Sequence, residues 1–149
     1  MIADNEVLFV VDGDNIFKAV QATYGKTKRI SYIRLLELLK AGRDASTIYH
    51  LHIFVTVREA LMTQIPFVSR LNMFGFTVHP YTSSFNDETR AVTRKDTSKD
   101  IIRLISDFRC SKGQYPKTLI VASSSGAYAD LYTALAYQGV CIEVWWFGP

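Results

Sequence analysis

Cysteine is scarce: Cys110 and Cys141 are the two in 149 residues, and they form neither a CxxC pair nor a spacing that suggests a disulfide framework or a zinc site. Each reads as a buried free thiol of a reducing compartment, which places the protein inside the cell, in the cytoplasm. Long apolar runs are missing as well. No stretch reaches the roughly 20 residues of a membrane span, and the opening MIADNEVLF lacks the basic segment of a signal peptide, so no membrane association is expected. A glycine-rich phosphate loop is also missing. Gly25-Lys26-Thr27 ends like one, but the glycine required five positions before Gly25 is Val20. No repeat and no low-complexity tract interrupts the chain. The net charge of +3 is too small to establish a nucleic-acid partner by itself, and its distribution says more than its size.

What remains is the composition of one soluble globular domain spanning 1–149, with 48% hydrophobic and 21% charged residues. A domain of this size buries roughly 68–70% of its unfolded surface, enough for a core without staples. Its organising stretch is Leu8-Phe9-Val10-Val11-Asp12-Gly13-Asp14-Asn15. Four apolar residues run straight into two carboxylates and an amide, with a glycine between the acids to let the backbone turn. That is a buried strand delivering acids at its carboxyl end, the edge at which open parallel sheets bind their ligands. One of Asp14 and Asn15 is expected to cap the following helix. Asp12, on the last strand position, is not explained by capping.

Along the chain, strand-like and helix-like segments alternate. Residues 16–24 make a short helix stopped by Gly25, and Lys26, Lys28 and Arg29 form a basic turn able to touch phosphate. Ser31 caps a second helix in which Ile33, Leu35, Leu36, Leu38 and Leu39 recur at helical spacing, with Gly42 as the stop. Residues 47–57 form a strand where His50 and His52 share one face. Two histidines at that spacing can ligate a metal, but no third soft ligand stands nearby in sequence, so a structural role is expected for both. A helix over 58–73, kinked at Pro66, leads past Gly75 to a short strand at 76–79. Residues 80–95 are predicted to be the longest structureless stretch, and long ordered loops are usually functional.

One of Asp96, Thr97 and Ser98 then caps a helix with Ile101, Ile102, Leu104, Ile105 and Phe108 on one face and Asp100 in its first turn, where the helix dipole favours an acid. Arg90, Arg94, Lys95, Lys99 and Arg103 cluster around its start and are the strongest hint of a polyanion. Residues 118–122 are a continuous apolar strand of the fully buried kind, followed by Ser123, Ser124, Ser125 and Gly126. A helix over 127–137 stops at Gly139, and 140–146 is the last strand. About five strands separated by helices imply right-handed crossovers and an α/β, Rossmann-like three-layer sandwich with a mostly parallel sheet. Asp12, Asp14, Asp100 and the three serines then converge on one edge. Hard oxygen ligands of this kind can hold Mg²⁺ or Mn²⁺ with several waters retained, as metal-dependent nucleases require.

The order of these motifs resembles the NYN domains, a branch of the PIN-like nuclease superfamily that includes the LabA-like and limkain-type proteins. Their opening strand and Asp-Gly-x-Asn turn are matched by Asp12-Gly13-Asp14-Asn15, and their middle aspartate at the start of an apolar helix by Asp100 in Lys99-Asp100-Ile101-Ile102-Arg103-Leu104. Their third motif, a strand ending in Ser-Gly-Asp-x-Asp-Phe, falls on Ser123-Ser124-Ser125-Gly126-Ala127-Tyr128, so Ser125 and Ala127 stand where the family has acids. The resemblance covers essentially the whole chain, with only the first motif intact.

It implies a PIN-like fold and an RNA partner. For an active enzyme it implies Asp12 and Asp100 as ligands to Mg²⁺ or Mn²⁺, Asn15 orienting a ligand or water, and Arg94, Lys95 and Lys99 on phosphate. Asp14 beside Asp12, and Asp130 three residues after Ala127, are the candidate replacements for the missing acids, while Ser125 can hold a metal-bound water. Two classes stay open: a divalent-metal ribonuclease for single-stranded or structured RNA, and a member that binds RNA or a protein partner without cleaving. A homodimer fits either class. A small nucleotide-binding module is the weaker third, for want of a glycine-rich motif. Tyr81, Phe85, Trp145 and Trp146 can stack on bases, though a core or dimer contact is the plainer role for the two tryptophans.

Overall fold

Strand β1, Glu6–Asp12, is buried at all seven positions, as its near-continuous apolar run requires of a strand covered on both faces. It is the centre of the computed structural model, which describes residues 5–58, 65–83, 85–86, 91–92 and 97–146. After β1 come helices α1 (Gly13–Tyr24) and α2 (Tyr32–Lys40), strand β2 (Ile48–Arg58), helix α3 (Ile65–Met73) and strand β3 (Thr77–Ser83). The short strands β4 (Phe85–Asn86) and β5 (Ala91–Val92) precede helix α4 (Thr97–Lys112) and strand β6 (Thr118–Ala122). A 3-10 turn (Gly126–Tyr128), helix α5 (Ala129–Tyr137) and strand β7 (Cys141–Trp145) complete the order.

The main sheet has five strands in the order β3-β2-β1-β6-β7, and every pairing in it is parallel. The chain therefore builds outward from β1 through β2 to β3, then crosses back to lay β6 on the other side of β1. One face carries α1, α2 and α3 on Phe9, Val11, Ile53 and Ile120, with Ile16, Val20, Leu35, Leu39 and Leu71 buried against them. The opposite face carries α4 and α5, with Ile101, Ile105 and Leu135 packed on Leu8, Val10, Phe54 and Val121. This is the α/β, Rossmann-like three-layer sandwich that the alternation predicts. Burying a side chain such as Phe9 or Ile120 is worth about 1.5–3 kcal/mol, so the helices are held mainly by these two cores.

Several expectations need correction. Helix α1 begins at Gly13 rather than residue 16, and its N-cap residue is Asp12 with no side-chain cap bond, so neither Asp14 nor Asn15 serves as the cap. Arg58 belongs to β2 and α3 covers Ile65–Met73, while residues 59–64 of the helix expected over 58–73 lie outside the described residues. Residues 80–95 are not structureless throughout: β3 runs on to Ser83, and β4 pairs antiparallel with β5. Ile102 is exposed, off the buried stripe of α4. Both cysteines are exposed rather than buried, Cys110 on the outer side of α4 and Cys141 at the start of the edge strand β7. Trp145 packs edge-on against Phe9, with ring centroids 5.2 Å apart, whereas Trp146 is 58% exposed. No helix among the described residues is long and apolar enough to cross a membrane.

Candidate functional site

Where the crossover reverses direction, between β1 and β6, an open parallel sheet forms its natural ligand crevice. Asp12 ends β1 there, and Ser123, Ser124 and Ser125 follow β6 directly. Gly13 makes the sharp entry into α1 possible: a Cβ at this position would stand 2.6 Å from the carbonyl oxygen of Phe54 and 2.8 Å from Val55. With no side chain, the first turn of α1 settles onto β2, which brings Asn15 to the crevice and Asp14 to Thr56 of β2.

Each polar side chain of the turn then reaches a different neighbour. The Asp12 carboxylate is 8% exposed; its Oδ2 accepts a hydrogen bond from the Ser123 hydroxyl at 3.0 Å and another from the Tyr128 hydroxyl at 3.2 Å. Asn15 Oδ1 accepts both the backbone N–H of Ser124, at 2.8 Å, and its hydroxyl, at 2.9 Å. Asp14 turns the other way, accepting the Thr56 N–H at 3.1 Å and the Thr56 hydroxyl. Ser123 Oγ in turn accepts the N–H of Ser125, and Ser125 Oγ accepts the N–H of Ala127, capping the 3-10 turn. The cluster is a hydroxyl-rich seam that ties β1 and α1 to the loop after β6.

Burial pushes the Asp12 carboxyl above its ordinary value. The hydrogen bonds from Ser123, Tyr128 and the backbone of Asn15 pull it down, the charge of Asp14 pushes it up again, and burial prevails. Tyr132 is pushed up to about 12, by burial and then by the Asp12 charge, and its buried hydroxyl has no hydrogen-bond partner among the described residues. The phenol is therefore a neutral donor placed beside Asp12.

The remaining sequence candidates are more scattered. Asp100 lies in the first turn of α4, near enough to His79 for its charge to oppose the effect of burial on that ring. Asp130, in the first turn of α5, is exposed. Lys99 and Arg103 are exposed on α4, one helical turn apart, while Arg90, Arg94 and Lys95 lie outside the described residues. The side chains of Tyr81 and Phe85 lie outside them as well. Among the described residues, no three His, Cys, Asp or Glu side chains come together in a group able to hold a metal ion.

Sequence spacing missed the partners that arrive from a distance. Tyr128, Tyr132 and Thr56 carried no local signal, although Tyr128 occupies the phenylalanine position of the motif it resembles, and its extra hydroxyl is what reaches Asp12. His79 was likewise separate in sequence. Its Nε2 lies 3.0 Å from His52 Nδ1, and its ring stacks on Phe54, whereas His50 turns to Glu6 at 3.3 Å. The two histidines of β2 therefore have different partners.

No protein-family model matches the chain, and no curated protein sequence does. A solved structure of a protein of unknown function from Vibrio parahaemolyticus is similar, with a TM-score of 0.72 over 98% of this chain and 85% of that one. At 15% identity the likeness is one of fold.

Proposed function

We propose that the protein binds RNA at the carboxyl edge of its sheet, as a PIN-like domain of the NYN kind, and does not hydrolyse it. The observation that carries this reading is the state of Asp12. The one acid at the centre of the crevice is buried, and its Oδ2 is already occupied by two protein hydroxyls. Mg²⁺ and Mn²⁺ are held by several open carboxylate oxygens and ordered waters. Here the donors around Asp12 are protonated groups, Ser125 and Ala127 stand where the resembled motif has acids, and Asp130 is exposed, so these residues do not fit such an ion. The Ser125 hydroxyl, which accepts from Ala127 and keeps its own O–H to donate, suits a phosphate or ribose oxygen, and Lys99 and Arg103 supply exposed charge on α4.

The test is incubation with labelled single-stranded and hairpin RNA in Mn²⁺ or Mg²⁺, with EDTA and Asp12→Asn as controls. Binding without cleavage is expected in every arm. Cleavage abolished by both EDTA and Asp12→Asn would instead establish the ribonuclease. The double variant Ser125→Asp/Ala127→Asp tests the same point from the other side, since activity gained there alone would show a scaffold kept after its chemistry was lost.

A further inference from the structure

On the sheet face opposite Asp12, a cleft of about 420 Å³ opens between α1, the turn before α2, β2 and α3. Its volume is within the roughly 300–1,000 Å³ of small-molecule sites. The floor is apolar, formed by Val55 and Leu71, and the walls include Phe17, Tyr32, Phe67 and Phe74. Two of these rings are unusually open for aromatics, Phe17 at 48% and Phe67 at 38% exposed, and Tyr32 and Phe67 stand 6.2 Å apart between centroids. Arg29 and Arg70 also line the cleft, and among the described residues neither guanidinium has a carboxylate partner. At the mouth, Asp14 is fixed by Thr56.

We infer that this cleft binds a single nucleotide, its base among the aromatic side chains, its phosphate on Arg29 and Arg70, and an amino group of the base on Asp14. Aromatic faces stack on any nucleobase, and planar guanidinium groups hold phosphate through paired hydrogen bonds. Each Asp14 oxygen keeps a lone-pair site free after its bond to Thr56, and a base amino group is a donor suited to it. Tyr32 is held protonated by burial and by the Asp14 charge, its pKa pushed up to about 12, so its hydroxyl is a donor at neutral pH. Side chains here do the work that a glycine-rich loop does elsewhere, which accounts for a nucleotide site in a chain without such a loop. The inference rests on the RNA reading only for the source of the nucleotide, which is either free or the end of an RNA strand.

Calorimetric titration of the full chain with 5′-AMP, adenosine and a short single-stranded RNA tests it. Wild type is expected to bind 5′-AMP more tightly than adenosine. Arg29→Ala and Arg70→Ala should each weaken 5′-AMP at least tenfold while leaving adenosine unchanged, and Arg70→Lys should recover part of the loss. Both arginines are exposed, and circular dichroism checks that the variants fold. In wild type, amide shifts on adding 5′-AMP should centre on Tyr32, Phe67 and Leu71, a measurement that needs no variant. Absence of 5′-AMP binding, or binding indifferent to both arginines, overturns the inference. RNA displaced by 5′-AMP identifies a strand end as the source. Binding of 5′-AMP without any RNA binding keeps the cleft and discards the RNA reading.

Discussion

Asp12 and His52 lie on the same face of the sheet, and burial acts on them with opposite signs. A carboxyl in a dry site resists losing its proton, so Asp12 is raised; an imidazole there resists gaining one, so His52 falls from its ordinary 6.5 to about 4. The charges of His79 and His50 push His52 further the same way, and His79 itself is lowered by burial despite the opposing charge of Asp100. For His52 the unfolded chain binds more protons than the folded one between about pH 6.5 and 4, so stability is lost as pH falls through that window and levels off below it. Asp12 has the reverse sign: its folded pKa is raised, so its ionisation costs stability as pH rises above 3.8. The His52–His79 bond also needs one N–H and one lone pair, which protonation of both rings removes. Urea unfolding of wild type and His52→Gln across pH 4 to 7 separates the two groups. The acid limb should be flatter in the variant, and parallel curves would remove His52 as its cause.

At the scale of elements, the position of α1 depends on what Gly13 lacks. A methyl group on Gly13 would stand 2.6 Å from the Phe54 carbonyl oxygen, so Gly13→Ala forces α1 away from β2 and strains the turn that presents Asp12, Asp14 and Asn15. Overpacking of this kind costs about 1–3 kcal/mol, and for a chain of this length each kcal/mol lowers Tm by about 2–4 °C. Calorimetry should show that loss together with weaker RNA binding, whereas an unchanged Tm would mean that the backbone yields freely. Elements were legible in the sequence where one local signal sufficed. The apolar run of β1 ended at Asp12 as expected, residues 118–122 form β6, and Ser31 does cap α2 by accepting the N–H of Arg34. The site was less legible because its bonds join residues far apart in the chain: Asp14 to Thr56, Asn15 to Ser124, Asp12 to Tyr128. Local spacing offered caps for Asp14 and Asn15, and tertiary partners took them instead. Cys110 and Cys141 were misjudged for a related reason, since residue type favours burial, but the outer side of a helix and the start of an edge strand leave a thiol open.

Over the whole molecule, a net charge of +3 is modest, and the proposed RNA-binding surface rests on its arrangement. Lys99 and Arg103 lie one turn apart on the exposed side of α4, the helix that makes the crossover between β3 and β6. The same crossover creates the crevice at Asp12, and α4 packs on the sheet face that carries Leu8 and Val10, the face of Asp12 by strand alternation. If these side chains meet phosphate, affinity carries no sequence preference through them, and each contact releases counterions. For single strands the slope of log K against log salt should then flatten by roughly 0.7 with each of Lys99→Ala and Arg103→Ala, and by about twice that in the double variant. The loss should be the same for RNAs of different sequence. Fluorescence anisotropy across a salt series measures both quantities. An unchanged slope in the double variant would move the phosphate contacts off α4, and a loss confined to one sequence would make them base contacts instead.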